Sequence, residues 1–143
     1  MNKLVVDASV VLKWLGLFRH EPLVTEAQSL LDRWLQGSLE LVAPDLLWAE
    51  VANAHWRGAR QNRFTSADAR ASLATLHSHG LLIVQSEPFI DRALEIALRY
   101  ERTAYDSLYV ALAENLNATL VTADEKLANA LAGSFPVKWL GAI

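Results

Sequence analysis

The chain has no cysteine. Disulfides, cysteine-ligated zinc, iron–sulfur clusters and a thiol nucleophile are excluded together. Long apolar runs are also missing. The longest are interrupted by Asp7 and Lys13, or by Asp45 and Glu50, and fall short of the ~20 residues that a membrane span needs. Asp7 breaks the first apolar run almost at once, so no secretory leader is expected. A cytoplasmic location without membrane contact is the resulting expectation. Positive charge is scarce, with 13 Lys and Arg against 16 Asp and Glu and a net charge of −3. A large non-specific footprint on DNA is therefore not expected, although a local basic patch is still open. Repeats, low-complexity tracts and linkers are lacking too.

What is present suits one folded domain over residues 1–143. The 143 residues are 52% hydrophobic and 20% charged, the balance of a globular protein with a single core. The stretch Lys3-Leu4-Val5-Val6-Asp7-Ala8-Ser9 sets the frame. Its continuous apolar run reads as a strand buried on both faces, as in a parallel sheet. Ser9 reads as the cap of a helix running to about Phe18. Thr25-Glu26-Ala27-Gln28 reads as a capping box, opening a helix with Ala27, Leu30, Leu31, Trp34 and Leu35 on one face. Leu39 to Ala43 is a second strand, and Pro44 and Asp45 start the helix carrying Glu50, Asn53 and Trp56. Thr65 or Ser66 caps the next helix, and Leu81 to Val84 is a third strand. Pro88 opens a helix with Phe89, Ile90, Ala93, Ile96 and Ala97 inward. Another helix begins at Thr103-Ala104-Tyr105-Asp106. Thr119 to Thr122 is a fourth strand, Glu125 to Ala132 a helix, and Val137 to Leu140 a last strand. Alternating strands and helices make an α/β fold, a parallel sheet with helices on both faces.

Helices in such folds run antiparallel to the strands, so their N-termini lie at the carboxyl edge of the sheet, where ligands collect. Asp7 and Asp124 follow strands one and four. Asp106 lies in the first turn of its helix and Glu50 in the first or second turn of its own. Each alone has a plainer reading as a cap, a turn residue or a first-turn acid. Together they put four carboxylates at one edge. Crowded like charges raise one another's pKa values, and a divalent cation removes that penalty. Oxygen-only ligation suits Mg²⁺, with Mn²⁺ as a substitute, rather than zinc. A cation of that kind supports hydrolysis of a phosphodiester.

Four segments carry a resemblance. Val5-Val6-Asp7-Ala8-Ser9, Glu50-Val51-Ala52-Asn53-Ala54, Tyr105-Asp106-Ser107-Leu108-Tyr109-Val110-Ala111-Leu112-Ala113 and Leu120-Val121-Thr122-Ala123-Asp124 resemble the signature segments of the PIN domain. More narrowly, the chain is similar to VapC-like ribonuclease toxins of toxin–antitoxin pairs, across essentially its whole length. The resemblance implies a five-stranded parallel sheet of order 3-2-1-4-5, with strands one and four adjacent. It implies Mg²⁺-dependent endonucleolytic cleavage of RNA, with Asp7, Glu50, Asp106 and Asp124 holding the metal and positioning the attacking water. It places Ser9 and Thr122 as hydroxyls that support the site. It further implies a cognate antitoxin, whose C-terminal segment would lie across a groove and block the acidic site, and a homodimer.

Other residues are weighed directly. Asn53, one turn from Glu50, either orients it or packs the helix. Arg57, Arg60 and Arg63 recur every third residue, as a stripe for an RNA backbone or as a solvated face. Lys13 reads as a surface lysine. The tryptophans read as packing residues, Trp48 and Trp56 least securely. The four histidines share no ligand spacing and read as solvent-facing. Three other functions compete. A haloacid-dehalogenase-type phosphatase needs a second carboxylate two residues after the first, where Ser9 stands. A non-catalytic module would grip a cation or basic peptide at the same edge. A PIN-type nuclease of general RNA maturation is the nearest alternative. The short chain, with no strongly basic surface, favours the toxin.

Overall fold

A computed structural model describes residues 2–18 and 20–143. The sheet grows from its middle strand, β1 (Asn2–Val6), which pairs in parallel with β2 (Leu39–Pro44) and β4 (Thr119–Thr122). Further parallel pairing adds β3 (Leu82–Val84) beyond β2 and β5 (Val137–Trp139) beyond β4. The order is therefore β3-β2-β1-β4-β5, the 3-2-1-4-5 expected.

Successive strand residues point to opposite faces. Val5, Val42 and Leu120 accordingly enter one core cluster, and their neighbours Val6, Leu41 and Val121 enter the other. This is why the run reads as uninterrupted hydrophobic sequence rather than as alternation. The first cluster is covered by α5 (Ile90–Tyr100), α6 (Ala104–Asn115) and α7 (Glu125–Leu131). The second is covered by α1 (Ala8–Val11), α2 (Val24–Leu35), α3 (Leu46–Arg60) and α4 (Ser66–Ser78). Among the described residues no helix is long and apolar enough to cross a membrane.

Several local expectations change. The first helix does not run to Phe18: α1 is a single turn, followed by a 3₁₀ turn, Leu12–Trp14. The Thr25 capping box does not form, because α2 starts at Val24 behind Leu23 at φ 65°, which places Thr25 inside the helix. Pro44 closes β2 instead of opening α3, and the Asp45 N–H donates to the Val84 carbonyl (2.9 Å). A 3₁₀ turn, Glu87–Phe89, precedes α5 and shifts the phase of its apolar face. Ala93 and Ile96 are buried as expected, while Ile90 is exposed with Leu94 and Leu98 at four-residue spacing.

Two polar expectations and one aromatic one also change. Lys13 is buried, its Nζ held 2.9 Å from Glu21 Oε2. His55 is buried as well, with Nδ1 2.8 Å from the Val51 carbonyl and Nε2 2.8 Å from Ser72 Oγ. Neither could be read locally, since Lys13 is held by Glu21 across a loop and His55 by Ser72 of another helix. Trp14 packs against Trp34 and its indole N–H donates to the Ala27 carbonyl, whereas Trp56 is exposed and is no packing residue.

Candidate active site

β1 and β4 end side by side, with Val6 opposite Val121, and each is followed by an aspartate that caps a helix. Asp7, not Ser9, is the N-cap of α1: its carboxylate accepts from the Val10 N–H (3.3 Å). Ser9 lies within α1 and its hydroxyl donates to Asp7 Oδ1 (2.5 Å). The same Ser9 oxygen accepts from the Ala123 N–H (3.0 Å) and lies 3.5 Å from Thr122 Oγ1. Thr122, fully buried, in turn accepts from the Asp124 N–H (3.0 Å). Two hydroxyls thus tie the turn after β1 to the turn after β4. Asp124 caps α7, its Oδ1 accepting from the Leu127 N–H (3.2 Å).

The other two carboxylates come from opposite helical layers. Asp106 lies in the first turn of α6, where Thr103 caps the helix by accepting from the Asp106 N–H (3.0 Å). Glu50 lies in the second turn of α3, and its Oε1 accepts from the Tyr109 hydroxyl (2.6 Å). Asp7, Glu50, Asp106 and Asp124 line one pocket of about 120 Å³, together with Ala8, Ser9, Tyr109 and Leu127. The carboxyl edge of a parallel sheet, where strands end and returning helices begin, brings them together.

The electrostatics show the crowding. Burial pushes the Asp7 carboxyl above the usual aspartate range; hydrogen bonds from Ser9, Thr122 and Val10 oppose this, and the Asp106 charge adds to it. Burial likewise raises Glu50, against the Tyr109 hydrogen bond, and the charges of Asp7 and Asp106 raise it further. Asp106 is raised by burial and by Asp124, while the Arg102 guanidinium and Thr103 pull it down. Tyr109 is pushed up by burial and by the carboxylate it touches, and so donates its proton to Glu50 without losing it.

The donor set fits a hard cation. Every titratable side chain at the pocket except Tyr109 is a carboxylate, and no histidine lines it. Among the described residues no three acidic or histidine side chains are gathered tightly enough to hold a metal ion as they stand. Four carboxylates around one pocket repel one another, and a hard cation offsets that repulsion. Mg²⁺ also keeps several waters and takes only one or two carboxylates directly. A pocket of this volume has room for roughly four waters at ~30 Å³ each.

The remaining sequence candidates fall elsewhere. Asn53 is exposed and does not line the pocket; the Glu50 carboxylate is held by Tyr109 instead. The arginines do not form one helical stripe. α3 ends at Arg60, and Asn62 turns the chain at φ 57°. Arg60 lies over the Trp56 ring, 5.3 Å from its centroid, and Arg63 lies over Phe18. None of Arg57, Arg60 and Arg63 lines the acidic pocket. The cation beside the carboxylates is Arg102, at the α5–α6 turn, whose buried Nε has no hydrogen-bond partner among the described residues. Sequence reasoning passed over Tyr109 and Arg102. The signal for Tyr109 was its spacing, three residues after Asp106 on the same side of a helix.

Comparison with known proteins gives the family and the fold. The PIN domain family profile matches residues 4–131. Ribonuclease VapC9 of Mycobacterium tuberculosis is 34% identical over 134 residues, covering 94% of this chain and 95% of that protein. The crystal structure of PAE2754 from Pyrobaculum aerophilum superposes with a TM-score of 0.73 at 24% identity, over 99% of this chain and 91% of that one. A chain of a toxin–antitoxin complex from Klebsiella pneumoniae gives 0.63 at 18% identity, over 94% of each. At these identities the two structural likenesses are likenesses of fold.

Proposed function

This chain belongs to the PIN domain family, and from that premise we propose that it is a divalent-metal-dependent endoribonuclease, the toxin of a toxin–antitoxin pair. The observation that carries the proposal is the convergence of Asp7, Glu50, Asp106 and Asp124, from four separate segments, on one oxygen-lined pocket. These four would hold Mg²⁺, or Mn²⁺ in its place. The cation, when bound, supplies Lewis-acid stabilisation of charge developing on the phosphodiester oxygens and makes water a better nucleophile. The protein supplies the placement. Ser9 and Thr122 hold Asp7, the first turn of α7 holds Asp124, and Tyr109 holds Glu50. RNA as substrate is supported by the 34% identity to a relative named as a ribonuclease.

The proposed antitoxin is supported by the Klebsiella toxin–antitoxin complex, one chain of which shares this fold, and by an open apolar groove of about 370 Å³. Trp48, Arg70, Leu73, Ala74 and His77 line that groove, between α3 and α4. The proposed homodimer is supported by the exposed row Ile90, Leu94 and Leu98 on α5, an apolar face that water should not cover in isolation. Leu94→Glu is expected to shift the sedimenting species from dimer to monomer while circular dichroism keeps the wild-type helix content, since Leu94 is about half exposed; the melting temperature falls only by what association supplied. A variant that still sediments as a dimer removes this face from the interface.

The test of the activity is direct. Purified chain, freed of antitoxin, is mixed with total RNA of the native host in Mg²⁺ or in EDTA, and new 5′ ends are mapped. Discrete cuts in Mg²⁺ and none in EDTA are expected, with growth arrest when the chain is expressed without antitoxin. Cuts without growth arrest point to general RNA maturation. No cuts at all, with antitoxin shown to be gone, favour a non-catalytic module that grips a cation or a basic peptide.

A further inference from the structure

The bond between Tyr109 and Glu50 spans 59 residues and joins two helical layers that the sheet otherwise keeps apart. α3 packs on one face of the sheet and α6 on the other. Their side chains meet over the carboxyl edge of the sheet, at the acidic pocket. Tyr109 is the fixed partner: the residue is 2% exposed and packed in the same core cluster as Val5, Ile96 and Leu112. Glu50 is the adaptable partner, half-buried on a flexible stem. Among the described residues its Oε2 accepts no hydrogen bond.

A plainer account is that a buried tyrosine needs an acceptor for its hydroxyl. A carboxylate is an expensive one, because burying a charge costs far more than burying a neutral acceptor. A backbone carbonyl would satisfy the hydroxyl without that cost. The choice of a carboxylate that already lines the pocket is what the core requirement leaves unexplained.

We infer that Tyr109 is a positioning residue for Glu50: its hydroxyl pins Oε1 and so presents Oε2 to the pocket. α6 therefore serves the site twice, delivering the Asp106 carboxylate and, one turn on, fixing the direction of the Glu50 carboxylate. This rests on the reading of the pocket as a cation site. Residues that orient a metal ligand usually change affinity about 10- to 100-fold when removed.

The test compares wild type, Tyr109→Phe and Glu50→Gln by calorimetric titration with Mn²⁺ and by RNA cleavage across a range of Mg²⁺ concentrations. Tyr109→Phe keeps the ring and deletes only the hydroxyl. It is expected to weaken Mn²⁺ binding about tenfold and to raise the Mg²⁺ concentration for half-maximal cleavage by the same factor. At saturating metal its rate should return to near the wild-type value. Glu50→Gln should weaken binding and also depress the saturated rate. A tyrosine with only a core role would lower the melting temperature and leave Mn²⁺ affinity alone. Unchanged affinity in Tyr109→Phe, with weakened affinity in Glu50→Gln, overturns the role of Tyr109 and leaves the site standing. If wild type takes up no Mn²⁺, the cation-site reading falls and this inference falls with it.

Discussion

Asp106→Asn is expected to slow RNA cleavage at saturating Mg²⁺ on the order of 100- to 1,000-fold, the usual cost of losing one preorganised electrostatic group, while the fold stays intact. The substitution is nearly isosteric. Thr103 caps α6 through the Asp106 backbone N–H, which asparagine retains, so the helix start is preserved. What disappears is a negative charge that sits among three others around one pocket. Its neighbours register that charge directly, since it raises both Asp7 and Glu50. A folded variant that cleaves as fast as wild type in Mg²⁺ would remove Asp106 from the site. Circular dichroism and the melting temperature establish folding, and initial rates on a mapped RNA substrate give the effect.

How far this site could be read in advance depends on whether position followed from topology or from contact. Asp7 and Asp124 follow strands, so a parallel sheet alone sends them to the carboxyl edge. The order 3-2-1-4-5 then makes them neighbours, because β1 pairs with β4. Asp106 follows from the helix that precedes β4. Thr119–Thr122 and the helix start at Thr103 were legible because short apolar runs and helix-start signals act locally. Long-range contacts were not legible. The burial of Lys13 depends on Glu21, that of His55 on Ser72 of another helix, and the aim of Glu50 on a tyrosine 59 residues away. Even a local signal failed where the backbone overrode it. Leu23 in a left-handed conformation starts α2 one residue ahead of Thr25, and a residue inside a helix cannot cap it. The arginine row fails similarly, since α3 ends before Arg63 and the spacing ceases to mean a shared face.

Asp7→Asn should separate the function of the site from the stability of the fold more sharply than any other change. Without metal the variant is expected to melt higher than wild type at neutral pH, and to be inactive with Mg²⁺. Burial holds the Asp7 carboxyl above its ordinary range, against its hydrogen bonds, so keeping it ionised costs folding free energy. Linkage sets the sign. A carboxyl whose folded-state pKa is raised binds protons more tightly when folded than when unfolded. Its contribution to stability is fully present below the unfolded value, about 3.9, and is lost as pH rises through the folded one. Wild type should therefore gain stability as the solution is acidified from neutral, and the advantage of Asp7→Asn should shrink along the same pH range. Asparagine keeps an oxygen where Oδ1 accepts from Ser9 and from the Val10 N–H, so the α1 cap survives. A gain of ~1 kcal/mol corresponds to about 4 °C in a chain of this size. Added Mg²⁺ should reverse the ranking, since a cation that binds only the folded state stabilises it by mass action and the variant has lost a ligand. Melting curves over a pH series, with EDTA and with Mg²⁺, measure all of this. Equal melting temperatures at neutral pH in EDTA, or a difference that does not narrow toward acid, would mean that Asp7 carries no buried charge, and its place as a cation ligand would go with it.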